Sequence, residues 1–191
     1  SAEFSGTYDA AVLAAREAPV PVRVVDTGMV AMALGFCALA AAETADSGGT
    51  VDEAVAAAEK RAAATSAYFY VDTLDYLRRG GRIGAAQALL GSALAVKPLL
   101  SLDDGRIEML EKVRTASKAI ARLEEIVIER AGAHDVDIAV HHLAAPERAA
   151  TLADRLRDRV PGLVDLHVSE VGAVIGAHTG PGLLGAVVSP R

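Results

Sequence analysis

Three glycine-rich segments carry the side chains best placed to do chemistry. The first, His178-Thr179-Gly180-Pro181-Gly182-Leu183-Leu184-Gly185, contains a match to G-x-G-x-x-G. A dinucleotide fingerprint needs a helix directly after it, so that the pyrophosphate meets free helical amides. Leu183 to Val188 reads as a strand instead, and the match is set aside. A tight turn with φ > 0 positions is the simplest reading of these glycines. A functional reading adds an anion-binding concavity of exposed amides, with His178 as a further donor. The second segment, Gly80-Gly81-Arg82-Ile83-Gly84, sets an arginine between glycines at an expected helix start, and guanidinium groups and helix N-termini both attract anions. A solvated surface arginine is the plainer alternative. The third, Ser5-Gly6-Thr7-Tyr8, precedes the helical segment Ala10 to Ala18, where Ser5 or Thr7 is expected as an N-cap worth about 1 kcal/mol. A serine nucleophile there lacks the G-x-S-x-G elbow that would expose it.

Other constellations are weaker. His134, His141 and His142 lie near Asp135 and Asp137, but adjacent strand residues point to opposite faces, so no metal cluster is expected. H-E-x-x-H, C-x-x-C and G-x-x-x-x-G-K-[ST] are all absent. Lys112-Val113-Arg114-Thr115 is a basic knot that reads as a solvated face or as a place where a partner docks.

The elements that must position these residues alternate between strand and helix. Pro21 to Thr27 is β-branched and reads as a strand, followed by a core helix in the Ala-rich run Met29 to Ala42. That run is shorter than the roughly 20 apolar residues of a membrane span. Thr50 and Glu53 form a capping-box pattern ahead of a helix over Val51 to Ala64. Tyr68 to Val71 reads as a strand, Asp72 to Arg79 as a short helix stopped by Gly80-Gly81, and Ile83 to Leu94 as an apolar helix. Asp103-Asp104-Gly105 between Val96 to Leu100 and Arg106 to Leu110 predicts a hairpin. Thr115 opens an amphipathic helix carrying Ile120, Leu123, Ile126 and Val127 on one face. Strand Val136 to His142, helix Pro146 to Arg159, strand Val164 to Val168 and a final strand Leu183 to Val188 complete the pattern. The expected fold class is α/β, with a parallel-sheet remainder followed by a mixed-sheet layer.

Composition limits the function. Nineteen Lys and Arg against 25 Asp and Glu leave a formal charge of -6, which repels a polyanion, and 4% aromatic residues leave few rings for base stacking. Nucleic acid is therefore not an expected partner. Cys37 is the single cysteine, expected to be a buried, inert thiol. With no charged-plus-apolar leader at the start, the expected location is a reducing cytoplasm.

Three separated segments together resemble the DegV family. Phe4-Ser5-Gly6-Thr7-Tyr8 resembles its S-G-T-Y turn, and Val71-Asp72-Thr73-Leu74-Asp75-Tyr76-Leu77-Arg78-Arg79-Gly80-Gly81-Arg82-Ile83 its V-D-T-L-x-Y-L-x-x-G-G-R-I signature. Lys97-Pro98, Lys112 to Thr115 and the His178 to Gly182 turn follow in the family's order. The family's first strand-helix region, with a T-S-x-P-S turn, has no counterpart before Ser5, so a piece lacking that region is expected. The resemblance implies a two-domain α/β fold. Residues 1–75 would be the remainder of an N-terminal parallel-sheet domain and 76–191 a C-terminal mixed-sheet domain.

It implies a non-catalytic carrier that sequesters one long-chain fatty acid in a hydrophobic tunnel, with its head near the domain interface. Ser5, His178 and Arg82 would bind the carboxylate, with Gly6, Thr7, Thr179 and Gly180 as head-group turns. Arg114 would meet the catalytic subunit of an ATP-dependent fatty acid kinase. No cofactor and no metal are implied beyond the bound fatty acid, and only transient membrane contact. Two alternatives stand beside this: an acyl- or carbonyl-processing enzyme using Ser5 or His178, and a ligand-free regulatory domain. For the enzyme, no sequence feature supplies a base and an orienting carboxylate to Ser5.

Overall fold

The computed structural model describes residues 1–89 and 97–191. They form two compact units, Ser1–Thr65 with Asp104–Arg106, and Ser66–Asp103 with Ile107–Arg191.

The first unit is helical: α1 (Thr7–Glu17), α2 (Ala31–Asp46) and α3 (Val51–Ala64). The expected capping box forms, with Thr50 Oγ1 accepting from the Glu53 amide at 3.2 Å and the Glu53 carboxylate accepting from the Thr50 amide at 2.7 Å. Small side chains let α2 and α3 approach closely, and Cys37, Ala58 and Ala62 form their shared core. Cys37 is buried and its Sγ donates to the Ala33 carbonyl at 3.1 Å; burial pushes its pKa up, which keeps it a thiol.

The strand expected at Pro21 to Thr27 is a correction. The segment has no regular structure, and no strand among the described residues pairs with it. Alternating β-branched residues favour an extended backbone, yet a strand exists only where a neighbour completes its hydrogen-bond ladder. Among the described residues the first unit thus contributes no strand to a parallel sheet.

The second unit is a six-stranded sheet in the order β3-β2-β1-β6-β4-β5. Its strands are β1 (Ser66–Tyr70), β2 (Lys97–Asp103), β3 (Arg106–Val113), β4 (Val136–His142), β5 (Leu163–Glu170) and β6 (Leu184–Pro190). β1 pairs antiparallel with β2 and β6, β6 antiparallel with β4, and β4 parallel with β5. The hairpin turn expected at Asp104-Gly105 is present, with φ of 45° and 72°, the left-handed pair that a two-residue turn requires.

One face of the sheet carries Tyr70, Leu99, Ile138, Val140, Leu184, Ala186 and Val188, packed against α5 (Ala116–Ala131) and α6 (Pro146–Arg159). Leu123 and Val127 of α5 are fully buried there, as the 3.6-residue spacing predicts. Thr115 caps α5 by accepting from the Lys118 amide at 3.3 Å. Glu124 is buried at the α5–α6 contact and is compensated by Arg155 at 3.1 Å and Arg159 at 2.6 Å. Two short helical pieces, α4 (Asp75–Arg79) and α7 (Ala173–Thr179), and a 3₁₀ turn over Gly84–Leu89 complete the described unit. The 3₁₀ turn stands where an α-helix from Ile83 is expected; the rest of that expected helix to Leu94, and Val96, lie outside the described residues.

Candidate functional site

Two of the three glycine-rich segments meet in the second unit, where α4 packs against α7. Three glycines make this approach possible. A methyl group added at Gly80 would overlap Nδ1 of His178, one at Gly180 would overlap the Tyr76 ring, and one at Gly182 would overlap the Asp72 carboxylate. Asp72, Tyr76 and Gly80 are four apart in sequence, with Asp72 ahead of α4, Tyr76 inside it and Gly80 at its C-cap, while His178, Gly180 and Gly182 are two apart from the end of α7 into the turn before β6.

The Gly80-Gly81-Arg82 segment is a helix end, not the expected helix start. The Gly81 amide donates to the Arg78 carbonyl and the Arg82 amide to the Leu77 carbonyl, both at 3.1 Å, with Gly81 at φ 67°. Those two bonds and a left-handed glycine define a Schellman motif, which satisfies the last carbonyls of α4. Arg82 thus closes the C-terminal end of α4, whose dipole does not attract an anion, and the 3₁₀ turn starts two residues later at Gly84. The exposed Arg82 side chain folds back instead, and Nη1 donates to the Gly80 carbonyl at 2.9 Å.

His178 lies in the last turn of α7, a helix hidden in the sequence by Gly172 and Gly176 at and inside its start. The ring is half-buried, and Nδ1 is buried without a hydrogen-bond partner. The amide concavity expected around it does not form. The Gly180 amide donates to the Gly176 carbonyl at 2.8 Å, the Gly182 amide donates to the Leu143 carbonyl at 2.8 Å, and Pro181 has no amide hydrogen. The buried Thr179 hydroxyl donates to the Ile175 carbonyl at 3.1 Å. With these amides and the Thr179 hydroxyl engaged, the imidazole is a donor this turn can still offer, and Thr179 and Gly180 shape its support.

Asp72 and Tyr76, present in the signature but without an expected role, build the wall behind this turn. The Tyr70 hydroxyl donates to the Asp72 carboxylate, and burial followed by that bond holds the phenol protonated well above its ordinary range. Lys97 Nζ donates to the Asp72 carbonyl at 2.7 Å, which gives the Lys97-Pro98 pair its place. The Lys97 contact spans 25 residues and no local pattern marks it, while the Tyr70–Asp72 bond is local but depends on how the chain leaves β1.

Ser5, Gly6 and Thr7 belong to the first unit. Neither Ser5 nor Thr7 is the N-cap; Gly6 occupies that position, and half-buried Ser5 accepts from the Thr7 amide at 3.0 Å. The Ser5 and Thr7 hydroxyls share a hydrogen bond of 2.5 Å. Two hydroxyls with one mutual bond have one proton left over, so the pair can still donate once. Arg114 is exposed just before α5, between exposed Lys112 and Lys118, with no ion pair among the described residues.

His141 and His142 are both buried and serve opposite faces of β4. His141 shares a 3.0 Å hydrogen bond with Ser169, while His142 Nδ1 accepts from the Ala145 amide at 3.5 Å. Burial foremost lowers the His141 pKa from its ordinary value, so the ring is neutral near pH 7. No group of side chains suited to a metal occurs among the described residues, and no described helix is long and apolar enough to cross a membrane.

Comparison with known proteins agrees with the fold. The family model of DegV proteins matches residues 1–191. The chain belongs to the DegV family. A DegV domain-containing protein of Streptomyces coelicolor is 87% identical over 191 residues, covering 100% of this chain and 68% of the relative. Among solved DegV structures, one from Thermus thermophilus, described for its fatty acid binding, superposes with a TM-score of 0.92 at 34% identity, over 100% of this chain and 69% of that one. DegV of Bacillus subtilis, described as a fatty acid binding protein, superposes with a TM-score of 0.89 at 36% identity, over 100% of this chain and 68% of that one.

Proposed function

We propose that this chain binds one long-chain fatty acid, holds its carboxylate with His178 and Ser5, and presents that carboxylate to an ATP-dependent fatty acid kinase without catalysing a reaction itself. The observation that carries the reading is the His178 imidazole, held on a glycine-lined turn whose Gly180 and Gly182 amides and Thr179 hydroxyl are already engaged, in a fold shared with fatty-acid-binding relatives.

A fatty acid divides its demands. Burying the tail gains about 0.8 kcal/mol per CH₂, so about fifteen methylenes contribute on the order of 12 kcal/mol gross before the cost of association. The carboxylate is costly to desolvate unless donors meet it. An imidazole N–H and the spare proton of the Ser5–Thr7 pair are donors of the right kind, and Arg82 adds a positive charge tied to Gly80 beside His178. Among the described residues the Ser5 hydroxyl bonds to Thr7, and no imidazole or carboxylate bonds to it to activate a nucleophile. Exposed Arg114, flanked by Lys112 and Lys118, suits an acidic docking surface on the kinase; in this reading the exchange takes place in the cytoplasm with only transient membrane contact.

Oleate titration of His178→Ala and Ser5→Ala tests the carboxylate assignment. Each is expected to weaken binding about tenfold or more, the typical loss of a charge-assisted hydrogen bond. Unchanged affinity in both would overturn it. Arg114→Ala is expected to leave oleate affinity intact while slowing phosphorylation by the kinase; equal rates would remove Arg114 from the docking surface.

A further inference from the structure

Gly80 and Gly81 are adjacent but are glycines for different reasons. Gly81 sits at φ 67°, where a side chain is strained, and it closes the Schellman motif. Gly80 sits at φ -77° and ψ -8°, ordinary helical values that alanine adopts freely. What excludes a side chain at Gly80 is the His178 ring: an added methyl would overlap Nδ1 and come within 2.7 Å of Cε1. Around Gly81, by contrast, an added methyl would meet nothing within 4 Å.

The contact also bears on where the ring keeps its proton. Of the two ring nitrogens it is Nδ1 that is buried without a partner. A buried N–H with no acceptor is among the rarest states in folded proteins, whereas a bare lone pair against a glycine Cα–H is tolerated. The neutral ring therefore avoids a penalty by carrying its proton on Nε2. We propose that Gly80 is a positioning residue: by having no side chain it seats the His178 imidazole against the α4 terminus and fixes its Nε2–H tautomer. Resting on the carboxylate reading above, this makes Nε2 the atom that donates to the fatty acid head group.

The atom that blocks a methyl at position 80 is part of a side chain free to rotate, so Gly80→Ala is expected to fold with the imidazole swung away. In the chain labelled with ¹⁵N, long-range ¹H–¹⁵N spectra are expected to show His178 as the Nε2–H tautomer, and Gly80→Ala to convert part or all of it to Nδ1–H. Oleate affinity of Gly80→Ala should fall about tenfold, as in His178→Ala, and the double variant should be no weaker than His178→Ala, because both changes remove one interaction. His178→Gln, whose amide nitrogen reaches the place of Nε2, should keep most of the affinity, and His178→Asn, which imitates Nδ1, should not. An Nδ1–H tautomer in the unsubstituted chain, or a Gly80→Ala spectrum identical to it, would overturn the proposal, as would fully additive losses in the double variant. If His178→Ala binds oleate normally, the carboxylate reading fails, and the Gly80→Ala spectrum alone then decides the positioning role.

Discussion

The first unit joins α2 and α3 through Cys37, Ala58 and Ala62, whereas the second packs two amphipathic helices on a sheet through a continuous cluster of Leu, Ile, Val and Tyr side chains. In the first, Leu13 and Val20 are each 61% exposed and Phe36 and Met29 are its large buried side chains, while Leu123, Leu156 and Leu184 in the second are fully buried. Close approach of small residues costs little side-chain entropy but buries little area per contact. Large interlocking side chains do the reverse. Resistance to unfolding should therefore concentrate in the sheet unit, which also carries the His178 turn, so the proposed head-group donor rests on the more rigid part of the molecule.

The difference is broken most severely by cutting into the larger core. Leu123→Ala should cost about 2–5 kcal/mol in urea unfolding. Leu39→Ala in the first unit, at a site 49% exposed, should stay within about 0.5 kcal/mol; similar losses would erase the contrast. Next in size is Gly180→Ala, which combines a φ of 74° with overlap of the Tyr76 ring and should cost about 2 kcal/mol. Adding Tyr76→Ala should return the part due to overlap, and a double variant as unstable as the sum of the singles would mean that the two do not touch. Thr50→Ala removes the capping box of α3 and should cost about 1 kcal/mol, with faster amide exchange confined to the first unit.

The mildest effect is a pH dependence of the sheet unit. Burial holds the folded-state pKa of His141 below its ordinary 6.5, so the unfolded chain takes up protons first as pH falls. Its contribution to stability is complete above about pH 6.5 and is lost as pH drops toward the folded value. The melting temperature should fall modestly between pH 7.5 and pH 5.5, and His141→Asn should flatten that slope; an unchanged slope would exclude His141 as its source.

Local signals carried much of the fold. The helix over Val51–Ala64 is announced by its capping box, α6 by Pro146 ahead of an amphipathic pattern, and β4 by its β-branched run between turn residues. Each of these elements has its cause within its own segment. Pro21 to Thr27 shows the limit, because residues suited to a strand form none without a paired neighbour among the described residues. Gly172 and Gly176 mask the helical propensity of α7, and Gly80-Gly81-Arg82 reads as a helix start because a Schellman terminus and a glycine-rich helix start share the same residues. The motif residues themselves were visible, but the way they interlock was not. That Gly80, Gly180 and Gly182 leave room for His178, Tyr76 and Asp72 is a fact of contact between segments about 100 residues apart.

The central claim is that this chain carries a fatty acid, and native mass spectrometry of the gently purified protein tests it most directly. The account predicts a species heavier than the polypeptide by one long-chain fatty acid, released on denaturation and restored by added oleate. A spectrum of bare polypeptide that stays bare after incubation with oleate would contradict it.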